Sequence, residues 1–431
     1  MKRSYVSDLK PNQKVLLKGW IHEIRDLAKL KFLLLRDNSG IVQCVVKDEK
    51  IPVSDLTLES VVEIKGKVKK AKVRAELARS DIELEVSEME ILNKAEKLPI
   101  QVNEKTTITE LPRRLDYRSL DIRKPKIKAI FKIQSALLEG MKNYLDNNGF
   151  IQIFTPCIIG VPSESGSEVF EVNYYGKKAF LRQDPQLHRQ LTILGGIEKL
   201  YDLGPSWRAE KSHTTRHISE HRTCAVELAF IESEKDTMRI EEQLIVSSIK
   251  NVLSKCKDEL KLLGVQIKVP KTPFPELKFP EIYAILKKEG KDIYGQDPDT
   301  EAEKILWAYV KKKYNADFYF FSGFPHKIKP FYVMEGYPNP EWAKSVDLNF
   351  KGMEMSSGGQ REHRYDKLIK NVEERGMPLK SVEWFTKFFK YGAPTHGGFA
   401  IGIERLTQVL LGLSNIREAV LFPRDTNRIT P

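Results

Sequence analysis

Residues 204–230 constrain the fold of this 431-residue chain more than any other stretch of its sequence. They read GPSWRAEKSHTTRHISEHRTCAVELAF, with the apolar run IEKLYDLG leading in and the apolar run CAVELAF at the end. Short apolar runs bounded by glycine and polar residues favour strands, whereas the polar segment 211–215 favours a loop. The stretch therefore predicts two antiparallel strands joined by a long loop.

The charged side chains of this stretch have two interpretations. Arg208 and Glu210 stand two residues apart, which places both side chains on one face of the first strand. Arg216 and His217 lie at the far end of the loop. A guanidinium and a carboxylate on one face, with further cations nearby, suit a polyanion that carries a polar base, and ATP has this chemistry. The alternative is a solvated strand with a surface ion pair, and the rest of the chain has to decide.

Charge and cysteine content narrow the class of protein. A formal net charge of +12 favours an acidic partner, with nucleic acid first, although a lysine-rich proteome is an alternative explanation. The four cysteines show no CxxC spacing, which argues against a cysteine metal site or a disulfide framework and favours a reducing cytoplasm. No apolar run approaches the ~18 residues of a membrane span, and the start MKRSYVSDLK has no apolar segment typical of a signal peptide.

The first 95 residues predict an all-β barrel. Short strand-like runs separated by turns favour an OB-fold, and they read KVLLKGWIHEI, KFLLLRD, GIVQCVV, SVVEIKGKV and DIELEVSEMEIL. The sequence DNSG at 37–40 predicts a hairpin turn between two of them. Residues 96–125 carry three prolines and many arginines, which is typical of a linker with a hinge helix.

One face of this barrel has the side chains of a nucleic-acid surface. Phe32 and Gln43 fall on neighbouring predicted strands near Arg25. An exposed aromatic ring, an amide and an arginine suit single-stranded nucleic acid, through stacking and hydrogen bonds. A place for Phe32 in the barrel core fits the sequence equally well.

Residues 126–431 predict a second, larger domain. A long amphipathic helix from Lys126 ends at the Asn148–Gly149 pair, and the strand-like FIQIFTP follows it as core or as a dimer edge. Residues 231–315 indicate a helical insertion with no chemistry of its own. Beyond it, DFYFFSGFP and PFYVMEG favour strands.

Polar residues of this second domain fall at element ends. Gln183, Asp184, Gln186 and Arg189 stand between a strand-like run and a helix, and they suit a small polar ligand. Helix capping by Asp184, with Pro185 in the first turn, is the alternative for that residue.

Four further positions suit a triphosphate and an acidic ligand. Asp347 and Glu354 offer oxygen ligands for Mg2+, and Arg361 can form a two-pronged contact with a carboxylate. Arg405 would lie in the first turns of a helix that follows a glycine-rich strand, where phosphate binds well. Each signal is weak alone, and together with Arg208 and Glu210 they favour ATP over the surface ion pair.

These segments together resemble the class II aminoacyl-tRNA synthetases, and within them the archaeal type of aspartyl-tRNA synthetase, over essentially the whole chain. The helix and strand ending at Pro156 are similar to motif 1, WRAE with the loop to TTRH to motif 2, and GIERL to motif 3. AFLRQDPQLHRQ and MEMSSGGQREHRYD resemble aspartyl-specific segments. The resemblance implies an α+β protein in which an anticodon-binding OB barrel (1–95) and a linker (96–125) precede a catalytic domain (126–431). That domain would have an antiparallel sheet flanked by helices and an insertion at 231–315.

The resemblance also implies roles at the ATP end. Arg208 would bind the α-phosphate and the substrate carboxylate, and Glu210 the adenine amino group. Arg405, with Arg216 or His217, would bind the β- and γ-phosphates. The Mg2+ ligands would be Asp347 and Glu354, with Ser357 nearby.

At the amino-acid end, Glu164 would bind the ammonium group of L-aspartate in the same pocket as Gln186. Arg361, together with Arg189 in place of a usual lysine, would bind the side-chain carboxylate. The reaction would be attack of the aspartate carboxylate on the α-phosphorus, with release of pyrophosphate, and then transfer to the terminal ribose of tRNA. The partners implied are tRNA and a second copy of the chain.

The residue at position 22 bears on tRNA choice. His22 resembles the non-discriminating members of the family, which charge both tRNA(Asp) and tRNA(Asn), while strictly specific relatives can carry tryptophan there. Both specificities stay open. Four positions depart from the family pattern, namely Asp184, Arg189, Ala225 and Ala400. Because three of them fall at the amino-acid pocket, two alternatives remain: a relative that acts on another amino acid, such as asparagine, with or without tRNA, and an inactive tRNA-binding protein.

Overall fold

The computed structural model describes residues 1–27, 30–48, 50–75, 77–103, 108–162, 168–212, 214–336 and 338–431. The chain divides into two compact units, Met1–Lys124 and Pro125–Pro431. No helix within these described ranges is long and apolar enough to cross a membrane.

The first unit contains the predicted barrel. Its strands are β1 (Lys14–Leu27), β2 (Leu30–Arg36), β3 (Ile41–Val46), β4 (Val61–Lys70) and β5 (Ile82–Asn93), and they close in the order β1-β2-β3-β5-β4. Alternate positions of β4 are buried, so one face of the strand packs into a core of valine, leucine and isoleucine. The Asp37 carboxylate accepts a hydrogen bond of 2.7 Å from the Ser39 N–H, which holds the predicted turn between β2 and β3.

Two short helices, α1 (Leu111–Asp116) and α2 (Arg118–Asp121), end the first unit where the sequence predicts a hinge helix. The second unit begins with α3 (Pro125–Asn147), which ends before Gly149 at a φ of +76°. Glycine adopts this left-handed conformation without the strain that a Cβ would add, and this explains the helix end predicted at the Asn148–Gly149 pair.

The strands of the second unit are β6 (Ile151–Gln152), β7 (Ile158–Ile159), β8 (Glu171–Tyr174), β9 (Lys177–Leu181), β10 (Lys199–Trp207), β11 (Glu220–Ala229), β12 (Glu276–Lys278), β13 (Phe318–Ser322), β14 (Ser345–Phe350), β15 (Glu354–Gln360) and β16 (His396–Gly402). Its further helices are α4 (Gln186–Leu194), α5 (Glu234–Lys255), α6 (Lys257–Leu263), α7 (Glu281–Lys288), α8 (Thr300–Tyr314), α9 (Tyr365–Glu374), α10 (Leu379–Thr386) and α11 (Ile403–Leu411).

A large sheet organises this unit, in the strand order β12-β13-β14-β15-β16-β11-β10-β6. The inner pairings are antiparallel, and the two edge strands pair in parallel. The pair predicted from residues 204–230 is β10 and β11, which run antiparallel from Lys199 opposite Leu228 to Trp207 opposite Glu220. The α+β architecture predicted from the sequence, an antiparallel sheet with helices after an OB barrel, is confirmed.

The centre of the sheet allows very close approach between strands. A Cβ atom at Gly398 of β16 would lie 2.0 Å from the main-chain oxygen of Val226 in β11 and 2.6 Å from a carboxylate oxygen of Glu227. Only glycine fits this position, because a real Cβ never comes within 3.0 Å of such atoms. The glycine-rich strand noticed in the sequence is therefore a packing requirement of the sheet.

The prediction of a strand at PFYVMEG is wrong. Residues 330–336 form only isolated bridges, of Val333 with Arg361 and of Glu335 with Ala343. The main chain turns, since the Val333 N–H donates a 3.1 Å hydrogen bond to the Pro330 carbonyl. Phe331 is buried in a cluster with apolar residues of α9 and α10, so the segment is apolar because of helix packing and not because of sheet pairing.

Candidate active site

A cavity of about 350 Å3 lies at the face of the large sheet in the second unit. Segments far apart in the sequence line it, from the β10–β11 loop, the start of α4, β14, β15 and the start of α11. Most of the residues predicted for catalysis and binding come together in its lining, namely Gln186, Arg208, Glu210, Arg216, His217, Asp347, Glu354, Ser357, Arg361 and Arg405. Glu164 lies outside the described residues. Arg189 does not line the cavity; it is fully buried and contacts Asp184 and Gln186, which do.

The β10–β11 loop carries the first group of charges. β10 ends at Trp207, so Arg208 and Glu210 lie just beyond the strand and not on its face as predicted. The two side chains still meet, with Nη1 of Arg208 3.5 Å from Oε1 of Glu210. Nε2 of His217 lies 3.6 Å from the other carboxylate oxygen of Glu210. The Arg208 side chain is 46% exposed and lines the cavity, so an anion in the cavity can reach it.

Two more arginines complete the cationic end. Arg405 is the third residue of α11, as the sequence predicts, and its Nη1 donates a 2.9 Å hydrogen bond to the Glu354 carbonyl. Arg216 reaches away from the β10–β11 loop to α8, where Nη1 donates to Oγ1 of Thr300 at 2.5 Å and Nη2 to Oε2 of Glu303 at 2.8 Å. Guanidinium groups near a helix start are suited to phosphate oxygens.

The two predicted magnesium ligands lie on adjacent strands of the sheet. Asp347 of β14 pairs with Ser357 of β15, and Glu354 is the first residue of β15. Desolvation, and then the charge of Asp347, raise the pKa of Glu354 to about 7. Oδ1 of Asp347 is buried and accepts no hydrogen bond from any described residue, so a hard cation would satisfy it.

Lys329, which the sequence did not predict, lies beside these two carboxylates. Its Nζ lies 2.9 Å from Oδ2 of Asp347 and 3.5 Å from the ring centre of Phe324. No cluster of three or more His, Cys, Asp or Glu side chains suited to a metal occurs among the described residues. Two carboxylates are a usual protein share for Mg2+, which takes its other ligands from water and phosphates.

A buried hydrogen-bond network forms the other end of the cavity. Arg361 donates from Nε to Oε1 of Glu227 at 2.9 Å and from Nη2 to Oε2 at 3.3 Å. Gln186 donates to Oε2 of Glu227 at 3.0 Å and accepts from Nη2 of Arg361 at 3.0 Å. Glu227 is fully buried in β11, so this carboxylate orients both side chains that face the cavity.

Asp184 and Arg189 form an ion pair at the same end. The guanidinium donates to both carboxylate oxygens, at 2.7 and 2.8 Å. Burial alone would raise the pKa of Asp184, but the charge and hydrogen bonds of Arg189 outweigh it and hold that pKa below its usual value. The capping alternative is wrong, because Pro185 occupies the N-cap of α4 and both carboxylate oxygens of Asp184 accept from Arg189. Two of the departures from the family pattern therefore compensate each other.

The other two departures lie side by side in the sheet. Ala225 of β11 is fully buried and pairs with Asp202 on one side and Ala400 of β16 on the other. Ala400 pairs with Ser357 of β15 and lines the cavity. Ala400 therefore adds an apolar methyl group to the cavity wall beside Ser357, and Ala225 is buried next to it in the sheet.

The predicted nucleic-acid residues lie on the barrel of the first unit. Arg25 pairs directly with Phe32, which is half-buried, and Gln43 on the next strand donates a 3.2 Å hydrogen bond to Glu83. His22 differs from these three because it is buried. Nη1 of Arg36 donates to its Nδ1 at 2.8 Å, which places the ring proton on Nε2.

Local sequence signals differ among the residues that were missed. Glu227 left one, since a lone carboxylate in the apolar run CAVELAF indicates a buried, partnered charge. Lys329 left none, because lysines are frequent throughout this chain. Asp297, in the loop before α8, also lines the cavity, although the sequence predicts no chemistry for residues 231–315.

Family models match most of the chain. Residues 110–426 match the model described as tRNA synthetases class II (D, K and N), and residues 15–92 match the OB-fold nucleic acid binding domain. The chain is 40% identical to the aspartate–tRNA(Asp/Asn) ligase of Aeropyrum pernix, over 96% of this chain and 94% of that protein. It is 40% identical to the aspartate–tRNA(Asp) ligase of Thermococcus kodakarensis, over 97% and 96%.

Solved structures agree in fold over the full length. The asparaginyl-tRNA synthetase of Pyrococcus horikoshii, complexed with asparaginyl-adenylate, superimposes with a TM-score of 0.92 at 32% identity, covering 100% of both chains. The aspartyl-tRNA synthetase of Entamoeba histolytica gives a TM-score of 0.89 at 28% identity, covering 100% of this chain and 93% of that one. The chain therefore belongs to the class II aminoacyl-tRNA synthetases, in the group that serves aspartate, lysine and asparagine.

Proposed function

We propose that this protein is an aspartate–tRNA ligase, which activates L-aspartate with ATP and transfers it to tRNA(Asp). The observation that carries the proposal is the Gln186–Glu227–Arg361 network, which presents an oriented guanidinium in the same cavity as the cationic end. Nη1 of Arg361 donates no hydrogen bond to any described residue, so it is available to a substrate carboxylate. The names of the relatives from Aeropyrum and Thermococcus support aspartate as the amino acid.

At the ATP end, the proposed roles follow from charge and position. Arg208 binds the α-phosphate and the carboxylate that attacks it, which brings the two reacting groups together. Glu210 accepts a hydrogen bond from the adenine amino group, and Arg216, His217 and Arg405 bind the β- and γ-phosphates. Fixed cations stabilise the charge that develops as the bond to pyrophosphate breaks, so no covalent role for a side chain is required.

Mg2+ belongs to the proposal as the ion that neutralises phosphate charge. The buried Oδ1 atom of Asp347 fits this role, and Glu354 and Ser357 lie beside it in the cavity lining. Lys329 already pairs with the other oxygen of Asp347. The residues at this position therefore suit a cation held partly by protein and partly by the nucleotide.

At the amino-acid end, Arg361 would bind the side-chain carboxylate, and Glu164 would bind the ammonium group. Arg189 would act through Asp184 and Gln186, since its guanidinium donates to both and is fully buried. The same ion pair favours asparagine as a second candidate substrate, because Asp184 cancels the charge of one of the two arginines. The aspartate proposal rests on Arg361, which pairs with Glu227 through Nε and Nη2 and whose Nη1 donates to no described residue.

The barrel would bind the anticodon through Arg25, Phe32 and Gln43, by stacking and hydrogen bonds. His22 is buried, so it would influence tRNA choice through its contact with Arg36 and not by touching the anticodon. We extend the proposal to tRNA(Asn), as in the relative from Aeropyrum whose name includes both tRNAs.

A homodimer is part of the proposal as well. β6 is an edge strand of the large sheet, and apolar side chains next to it face solvent: Ile151 is 55% exposed, Phe154 84% and Ile158 44%. An apolar patch on an exposed edge is typical of an interface.

The domain limits 1–95, 96–125 and 126–431 are also proposed. A cytoplasmic location is proposed as well, and the four unpaired cysteines support it.

Amino-acid-dependent exchange between ATP and labelled pyrophosphate tests the function. Aspartate should support exchange, and asparagine should support little. If asparagine supports exchange and aspartate does not, the second candidate is favoured. If neither amino acid supports exchange, an inactive tRNA-binding protein is left. Charging of tRNA(Asp) and tRNA(Asn) transcripts by the same preparation then tests tRNA choice, and failure on tRNA(Asn) would exclude the extension.

A further inference from the structure

The inserted segment reaches the ATP end through the first turn of α8. Glu303 accepts a 2.8 Å hydrogen bond from Nη2 of Arg216, and the side chains are 12% and 20% exposed. Thr300 accepts at 2.5 Å from Nη1 of the same guanidinium. Arg216 is thus held by two residues that lie more than 80 positions later in the chain.

The same carboxylate also contacts β15. Oε1 of Glu303 lies 3.3 Å from the N–H of Glu354 and accepts its hydrogen bond. One side chain of α8 therefore joins the β10–β11 loop to the strand that carries a proposed magnesium ligand. The contact with Arg216 and the contact with Glu354 use different oxygens, so they exist together.

Glu303 is needed for this arrangement. The start of a helix carries partial positive charge, which repels a guanidinium. The carboxylate of Glu303 offsets that repulsion, and a partly buried ion pair is screened less than one on the surface. A guanidinium has five N–H donors, so Arg216 keeps three for phosphate oxygens while it stays attached to α8.

We propose that Glu303 is a positioning residue for ATP: it holds Arg216 in the orientation that meets the triphosphate, which makes the inserted segment part of the nucleotide site. The inference rests on the proposed role of Arg216 at the ATP end. Ordering the loop beforehand removes a cost that ATP would otherwise meet on binding. Loss of Glu303 should then weaken ATP binding through Arg216 and leave aspartate binding unchanged.

The experiment is titration calorimetry of the full-length protein with Mg·ATP, without amino acid. Glu303→Ala should raise the Kd for ATP roughly tenfold, equivalent to about 1.4 kcal/mol. Glu303→Gln, which keeps an acceptor but no charge, should give an intermediate value. Glu301→Ala is the matched control, since Glu301 lies on the same helix, is 75% exposed and pairs with Lys291.

A double-variant cycle separates positioning from general damage to α8. If Glu303 acts through Arg216, then Arg216→Ala and Arg216→Ala/Glu303→Ala should bind ATP equally weakly. The inference is overturned if Glu303→Ala binds ATP as well as the wild type or more tightly. The inference is also overturned if Glu303→Ala weakens ATP binding just as much in the Arg216→Ala background, or if the wild type does not bind ATP. Absence of aspartate-dependent exchange, with this binding pattern intact, would refute the proposed ligase and leave the role of Glu303 standing.

Discussion

Replacement of Arg361 by alanine should damage both folding and substrate binding, for separate physical reasons. The guanidinium donates at 2.9 and 3.3 Å to Glu227, whose side chain is fully buried. Removing one partner of a buried ion pair leaves an uncompensated charge and costs roughly 3–5 kcal/mol. Since Arg189 lies 3.9 Å from the same carboxylate, we expect the low end, a loss of about 3 kcal/mol.

The loss of substrate contact is a second effect. One charge-assisted hydrogen bond is worth ~1.5–3 kcal/mol, so the KM for aspartate in pyrophosphate exchange should rise roughly 10- to 150-fold. The KM for ATP should change little. Urea denaturation measures the first effect and exchange kinetics the second.

Glu227→Gln separates the two effects. In the double variant with Arg361→Ala, the buried charge is absent, so the free energy of unfolding should fall by less than the sum of the single changes. Aspartate binding should stay weak, because the cation is still missing. The reasoning is refuted if Arg361→Ala unfolds at the wild-type urea concentration, or if the double variant regains affinity for aspartate.

Three further changes test other parts of the site. Lys329→Met removes a cation 2.9 Å from Asp347, so Mn2+ should bind several-fold more tightly by electron paramagnetic resonance; unchanged affinity would contradict competition. Glu241 of α5 lies behind the cavity, where it accepts a hydrogen bond from Ser356 of β15. Burial raises the pKa of Glu241 from 4.5 to about 8, so the unfolded state loses its proton first and the free energy of unfolding falls as pH rises through that window. Glu241→Gln should therefore gain stability relative to the wild type between pH 5 and pH 8, and parallel pH profiles would argue against it. Asp184→Asn leaves Arg189 without its carboxylate, so exchange should shift about tenfold towards aspartate over asparagine, and a constant ratio would show that the pair does not set specificity.

Local patterns predicted much of the site. The strands β10 and β11, the barrel and the start of α11 follow from apolar periodicity and glycine placement, which act over a few residues. Arg405 and the acids of β14 and β15 could be placed because those elements fix their positions. The family resemblance then supplied roles that residue types alone leave open.

What could not be predicted depends on contacts between distant segments. Nothing near Arg216 in the sequence indicates that Glu303 accepts from it, and nothing near Lys329 indicates Asp347. Asp184 shows the same limit over a short distance, because its helix-start position suggested a cap while a partner five residues on forms an ion pair with it. In 330–336, apolar side chains indicated burial correctly but not the element that covers them.

The close approach at Gly398 has a genetic consequence. The atom that a Cβ would meet there at 2.0 Å is the main-chain oxygen of Val226, which every residue at that position would also carry. No side-chain substitution at 226 can therefore relieve a replacement of Gly398, whereas an overpacked apolar core often accepts a smaller neighbour. A selection for revertants of Gly398→Ala should return glycine at 398 and no suppressor at 226, so this point of the sheet cannot drift by compensated pairs of mutations.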